Sequence, residues 1–595
     1  MSRSARPLLC FIAFASLAAA QTSAGAAEPA FRQWAPRPPM GWNSWDCFGT
    51  TATEAQVKAQ AAFMAGHLKP HGWEYVVVDI QWYEPGSAGH SYREGAPLTM
   101  DENGRLLPAP NKFPSAQGGA GFKPLADHVH SLGLKFGVHL MRGIPRNAVK
   151  ANLPVAGTRY LAQDIANPAS ICPWNPDMYG VDMTKPGAQD YYDSVFALLA
   201  AWGVDYVKVD DIARPYHQNE KEIEAIRNAI DHSGRPMVLS LSPGETALTA
   251  AEHVSEHANL WRISDDFWDR WLALHDQFAR IRDWNPHRRP GAWPDADMLP
   301  LGRLNLGERT TRFTPDEQRT MLSLWAIARS PLMHGGDLTK TDDLTLSLLT
   351  NDEMLAVNQQ SANNRPLFQH DDLIAWVADV PDSPDRYLAV FNARDRVRLI
   401  PQNARQVALS RNAQPMAIDA DITGGSRLFL TAQPADASGE WNRILWSEPR
   451  LGWADGTERA LTELKWTQAD ACWDSTRVKK DGSGRVLGIA AEIPAVVAYD
   501  LPVGAVRFKA TAMVEGNGRG AKPGPVNFLV VVATPQNEGP EAGLPVEVSL
   551  ADLGLTGGVR IRDLWTHREI GNFSGKFTPI IPWHGCGLYR LSPAH

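Results

Sequence analysis

Between residues 40 and 337, short runs of β-branched, aromatic and aliphatic residues alternate with longer stretches whose apolar positions recur at helical spacing. The strand-like runs are Met40–Trp45, Tyr75–Ile80, Lys135–Leu140, Tyr206–Asp211, Met237–Ser242, Leu260–Asp266, Ala292–Met298 and Ser330–Asp337. Amphipathic stretches at Glu54–His67, Gly121–Leu132, Ala188–Trp202, Glu220–His232 and Pro315–Ala328 lie between them. Eight β/α units over roughly 300 residues predict an α/β fold, a (β/α)8 barrel.

From about Asn351 the period changes. Leu373–Val380 and Tyr387–Asn392 alternate as antiparallel strands do, and helix signals stop. The stretch Val397–Val532 is rich in Gly, Pro and short strands, among them Arg443–Trp446, Gly488–Ile493, Ala505–Val514 and Val526–Ala533. Val546–Leu591 again reads as short strands and includes Gly585-Cys586-Gly587. The expected organisation is a barrel over 36–345 and an antiparallel β-domain split between 346–396 and 533–595. A β-rich module over 397–532 is inserted in that domain.

Composition narrows the partners. A chain of 595 residues is too long for one core, and its 44% hydrophobic and 21% charged residues suit a globular protein. The net charge of −8 argues against nucleic acid or an anionic membrane as partner. The 21 Trp suit sugar stacking and large cores equally. Arg3, Arg6, an apolar run from Leu8 to Ala20 and small residues through Ala27 predict a secretory signal peptide over 1–27, hence a periplasmic or extracellular location. That run is too short for a membrane span. Cys10 would leave with it, and Cys47, Cys172, Cys472 and Cys586 remain. Their number and spacing give neither a disulfide framework nor a metal motif, and Cys47 and Cys172 either pair or stay as free thiols.

In a (β/α)8 barrel the chemistry lies at the C-terminal ends of the strands. Those ends carry Trp42 and Trp45, Asp79 and Trp82, His139 and Arg142, Asp210 and Asp211, Ser240 and Ser242, Asp265 and Asp266, Asp295 and Asp297, and His334. Any one Asp is explained as a helix N-cap, but carboxylates on four of eight strand ends, with Trp around them, describe a sugar pocket. Lys208 beside Asp210 favours an ionised carboxylate, which suits a nucleophile. Asp265 and Asp266 lie among Trp261, Phe267, Trp268 and Trp271, where desolvation raises a carboxyl pKa and suits a proton donor. A retaining glycosidase needs this pair, about 5–5.5 Å apart. Successive residues on a strand face opposite ways, so either Asp265 or Asp266 fills the second role.

Several motifs, in order, resemble glycoside hydrolase family 27, the α-galactosidase (melibiase) family of secreted retaining enzymes. They are Met40-Gly-Trp-Asn-Ser-Trp45, Tyr75-Val-Val-Val-Asp79 with Trp82, Tyr206-Val-Lys-Val-Asp210, Trp261-Arg262…Asp266…Asp269-x-Trp271, Trp293-Pro-Asp-Ala-Asp-Met298 and Leu324-Trp-Ala-Ile-Ala-Arg-Ser-Pro-Leu332. The resemblance covers about 36–345 and resumes over Val546–Leu591 at Arg562-Asp563-Leu564-Trp565. It implies Asp210 as nucleophile and Asp266 as acid/base. Trp42, Asp79, Trp82, Lys208, Arg262 and Asp297 would line the sugar subsite, and no metal or organic cofactor is implied. His139 is added to the lining as a candidate extra contact; otherwise it is a satisfied barrel histidine, with Arg142 paired to Asp211 or Asp79.

The departures bear on the substrate. The family's second strand usually ends Asp-Asp-Cys-Trp, whereas this chain reads Asp79-Ile80-Gln81-Trp82. A Tyr is common where His139 stands, and Ser242-Pro243-Gly244 replaces a Cys-Glu-Trp type of triplet. Losing a buried polar partner loses discrimination for the hydroxyl it served, so a sugar or linkage other than simple terminal α-galactose is expected. The readings are an exo-glycosidase on α-galactosides or related sugars, a β-L-arabinopyranosidase, an α-glucan-type enzyme, and a catalytically silent glycan-binding protein. Metal-dependent hydrolysis by the Asp cluster is a further one. The partner in each carbohydrate reading is an oligosaccharide or polysaccharide. The insertion is reminiscent of sugar-binding β-sandwich modules, or it packs structurally.

Overall fold

A computed structural model describes residues 28–397, 405–410, 413–435, 442–471, 475–517 and 524–594. The expected signal peptide and Cys472 lie outside the described residues, as do parts of the 397–532 stretch.

All eight expected barrel strands form: β1 (Met40–Asn43), β2 (Tyr75–Val78), β3 (Lys135–Met141), β4 (Tyr206–Asp210), β5 (Val238–Leu241), β6 (Leu260–Arg262), β7 (Trp293–Asp295) and β8 (Leu332–His334). They make one parallel sheet in the order β7-β6-β5-β4-β3-β2-β1-β8. A parallel bridge between Leu299, just past β7, and His334 on β8 closes it into a barrel. Strands such as Tyr75–Val78 are buried along their whole length, which is why they read as continuous apolar runs rather than alternating ones.

The period of two along a strand decides what the barrel holds. Tyr75, Val77, Tyr206, Val238, Leu260 and Met333 belong to one buried cluster, with the Tyr75 and Tyr206 rings 5.4 Å apart. Continuing the alternation from Tyr75 and Val77 gives Asp79; continuing it from Tyr206 gives Lys208 and Asp210. The apolar plug and the polar floor above it are thus built from the same strand faces.

Helices α1 (Glu54–His67), α2 (Lys123–Ser131), α3 (Ala188–Trp202), α4 (Tyr216–His232), α5 (Ala251–His257), α6 (Trp271–Trp284) and α7 (Pro315–Ala328) surround the sheet. α1 and α7 start at capping boxes, Thr53 with Gln56 and Thr314 with Glu317. A small antiparallel sheet of Ile144–Pro145, Ala166–Ile171 and Met178–Val181 follows β3, and sequence periodicity did not reveal it. Cys47 and Cys172 are both buried free thiols.

Two β-rich units follow the barrel. One is a six-stranded antiparallel sheet in the order 362–370, 373–379, 386–392, 585–593, 558–563 and 568–574. The other pairs a five-stranded sheet with a six-stranded one around its own core, which includes Leu430, Trp446, Ile489, Phe508 and Phe528. Leu272, at the start of α6, packs against Val397, Phe429, Val496 and Val531 of this module. No helix of the described residues is long and apolar enough to cross a membrane.

Candidate active site

Asp210 ends β4 with its side chain only 12% exposed. His139 Nε2, from β3, lies 3.0 Å from its Oδ2, and the Asp211 amide reaches Oδ1 at 3.3 Å. Burial alone would push the Asp210 carboxyl up. The His139 hydrogen bond and the Lys208 charge outweigh it and hold the group well below the usual carboxylate range. Lys208 Nζ in turn donates to Asp79 Oδ2 at 2.9 Å. Burial would strip its proton, but Asp79 and Asp210 raise its pKa and keep it charged. Asp79 also accepts from Asn43 Nδ2 at 2.7 Å and from the Ile80 amide at 2.7 Å. This side of the rim is dominated by donors, so its carboxylates are ionised.

The opposite side is rich in acids. Arg262, at the end of β6, places Nη2 2.8 Å from Asp297 and 3.2 Å from Asp266. One guanidinium serves two carboxyls, and it does not fully offset their burial. Burial, then the Asp265 and Asp210 charges, push Asp266 up despite Arg262. Asp297 is raised in the same way, with Asp266 and Asp295 adding to burial. The Asp266 side chain is 37% exposed, three times as open as Asp210. The Phe267 amide donates to Asp297 Oδ2 at 2.7 Å, and Asp269 is clamped by Arg309 at 2.9 Å.

The structure therefore brings Asp79, His139, Lys208, Asp210, Arg262, Asp266 and Asp297 to one rim. Three expected lining residues need correction. Trp82 is 1% exposed; its Nε1 donates to the His139 carbonyl at 2.7 Å and its ring packs among Tyr83, Phe122 and Trp202. Trp42 is fully buried, with Nε1 on the Gly336 carbonyl at 2.9 Å. Neither can offer a face to a sugar; both pack the barrel. Arg142 pairs with Asp211 at 2.8 Å and with Glu222 at 2.7 Å, joining β3, the end of β4 and α4. His139, expected on the lining, instead spends Nε2 on Asp210, and its buried Nδ1 has no partner among the described residues.

Further rim residues were not assigned to the expected sugar subsite, although Trp45 was placed at a strand end. Trp45, three residues past the buried Trp42, is partly exposed and lies parallel to Tyr92 with 6.4 Å between ring centroids. The Tyr92 hydroxyl is raised by burial and then by the charges of Asp210, Asp266 and Asp79. It comes from the aperiodic 80–122 connection, where no sequence signal pointed to it. Asp46 is 3% exposed, and its Oδ2 has no hydrogen-bond partner among the described residues. Burial and the charges of Asp297 and Asp266 push its carboxyl well up. Gly335 makes room for it, since a Cβ there would lie 1.9 Å from Asp46 Oδ2.

Two departures acquire a physical form. Ile80, directly after Asp79, is 2% exposed and part of the apolar core. Gly244 places its amide 3.0 Å from the Ser264 carbonyl, and a Cβ would meet that oxygen at 2.4 Å, so no side chain fits there.

Paired, oppositely tuned carboxyls on the C-terminal rim of a (β/α)8 barrel define a glycoside hydrolase. The family model "Alpha galactosidase A" matches residues 175–360, and "Alpha galactosidase C-terminal beta sandwich domain" matches 527–591. Alpha-galactosidase A of Cellvibrio japonicus is 30% identical over 355 residues, 57% of this chain and 71% of that protein. Alpha-galactosidase 2 of Arabidopsis thaliana is 29% identical over 342 residues, covering 57% and 71%. Among solved structures, a GH27 β-L-arabinopyranosidase from Geobacillus stearothermophilus in complex with arabinose is 40% identical, with TM-score 0.69, covering 96% of this chain and 100% of that one. A putative α-N-acetylgalactosaminidase from Bacillus halodurans is 37% identical, with TM-score 0.63, covering 94% and 97%. The chain belongs to glycoside hydrolase family 27.

Proposed function

We propose that the protein is an exported, retaining exo-glycosidase that releases terminal β-L-arabinopyranosyl groups. Asp210 attacks the anomeric carbon to form a glycosyl ester, while Asp266 gives its proton to the departing oxygen. Asp266 then takes a proton from water, which attacks the ester and releases the sugar with its original anomeric configuration. Their opposite electrostatic settings support these roles: Asp210 is held ionised, and Asp266 is biased towards its protonated form.

Ile80 carries the choice of sugar. β-L-Arabinopyranose shares the galactopyranose ring configuration and lacks the C6 hydroxymethyl group. A buried Ile in place of a second rim acid offers no partner to that hydroxyl, while Asp79 and Lys208 retain theirs for the ring hydroxyls. The 40% identical arabinopyranosidase supports the same reading. The α-galactosidase relatives and the intact Asp79, Lys208, Asp210, Arg262, Asp266 and Asp297 set favour α-galactosides as the competing substrate.

A panel of p-nitrophenyl glycosides, hydrolysed by wild type and Asp210→Ala, tests the proposal. Release from the β-L-arabinopyranoside, absent in the variant, is expected; equal or faster release from the α-galactoside would overturn the sugar assignment. NMR of the first-formed anomer tests retention, and N-terminal sequencing of protein recovered outside the cytoplasm tests export.

A further inference from the structure

One cavity is far bigger than one sugar needs. It occupies about 1720 Å³ between the barrel and both β-rich units, against roughly 300–1,000 Å³ for a typical small-molecule site. It starts at the catalytic rim, where Asp265, Asp266 and Phe267 line it, and continues along α6 past Arg270, His275 and Arg280. The far wall is formed by Asp421, Gln433 and Val531 of the inserted module, with Asn537 and Trp583 beyond it.

Some of its charges are paired, Arg214 with Asp265 at 3.1 Å, Arg280 with Glu245, and Arg394 with Asp371, but its lining holds ten carboxyl groups against five Arg. Such an acidic wall repels a polyanion and presents many acceptors, with donors among them, to hydroxyl groups. The far wall is fixed relative to the acid/base. Leu272, six residues after Asp266, is seated on the module's Phe429, Val496 and Val531, and its amide reaches Asp470 Oδ2 at 3.4 Å.

We infer that this cavity receives the aglycone, as an uncharged, hydroxyl-rich polysaccharide main chain whose side-group sugar enters the barrel. The inserted module is the far wall of that site. The inference rests on the glycosidase reading above, in which Asp266 protonates the oxygen of the departing chain, because the cavity begins at Asp266.

The test compares two substrates. One is p-nitrophenyl β-L-arabinopyranoside; the other is a neutral galactan carrying single β-L-arabinopyranosyl side groups. Gln433→Ala, Trp583→Ala and the double variant are assayed in the full chain, with thermal unfolding to check folding. Gln433→Ala alone decides if Trp583→Ala fails to fold. Far-wall variants are expected to lose about fivefold to tenfold in kcat/KM on the polymer and less than about twofold on the small glycoside. Parallel changes on both substrates, no change on either, or a wild type that cleaves only the small glycoside would overturn the inference. If wild type releases galactose instead of arabinose from p-nitrophenyl glycosides, only the sugar assignment fails. The same comparison on a galactosyl-substituted polymer then decides the cavity's role by the same criterion.

Discussion

Around Asp210 the neighbours are donors: His139, the Lys208 ammonium and a backbone amide. Around Asp266 stand further acids, Asp265 and Asp297, and one guanidinium is shared by two carboxyls. The residue type is the same and the barrel rim is the same, yet one carboxyl is pushed down and the other up. The difference comes from which strand faces bring cations and which bring further acids. Chemistry that needs a base-like nucleophile and an acid at one pH follows from that division.

Removing one member from each side should break the comparison most severely. Asp210→Ala is expected to lower kcat by about a thousandfold or more, because no step replaces the ester. Asp266→Ala should cost about 10²–10⁴-fold on substrates with poor leaving groups and far less on p-nitrophenyl glycosides, which need little protonation. Equal losses on both would remove Asp266 from the acid role.

Smaller changes sharpen it. Ile80→Asp adds an acid next to Asp79 and should move the ratio of galactoside to arabinoside kcat/KM by about tenfold towards galactoside. An unchanged ratio would show that Ile80 does not set the sugar. His139→Phe removes the hydrogen bond that keeps the Asp210 pKa low. The acidic limb of the kcat/KM profile should then move to higher pH, with kcat falling about threefold to tenfold and KM little changed. A limb that stays in place would make His139 mere packing.

The smallest effect is on stability. Asp46 has its pKa raised in the fold, so the native state holds a proton that the unfolded chain has released. That contribution is present below the ordinary Asp value near pH 4 and is lost as pH rises above it, by up to about 1.4 kcal/mol per unit pH until the native group titrates. Wild type should therefore lose stability relative to Asp46→Asn between pH 4 and 7 in denaturant unfolding. Parallel pH curves would mean that Asp46 is ionised in both states.

The barrel was legible because its strands are buried on both sides and its helices carry apolar stripes. The runs at Tyr75–Val78 and Tyr206–Asp210 leave little choice of element, and all eight expected strands form. The acids and cations on the rim were legible for the same reason, since strand alternation carries Lys208 and Asp210 inward with Tyr206. What was not legible came from side-chain packing and from loops. Trp42 and Trp45 are equivalent in the sequence, but Trp42 lies on the buried strand Met40–Asn43 and Trp45 begins a helical turn that leaves it partly exposed. Trp82 looked like a rim residue and proved to be a wedge between sheet and helices. Tyr92 lies in a connection with no period, and its place beside Trp45 depends on long-range folding of that loop. The small sheet over 144–181 likewise rests on pairings across many residues that local pattern does not encode.

The six-stranded sheet places Gly585–Pro593 between Arg386–Asn392 and Gly558–Asp563, so a central strand comes from a segment far along the sequence from its first neighbour. On the ribosome, strands 362–392 must wait through about 190 further residues before that partner emerges. The intervening module, with a core of its own, can close in that interval. A nascent chain therefore carries an open sheet edge beside the barrel until residues 585–593 emerge. Deleting that one strand would leave the edge open permanently, however intact the barrel rim.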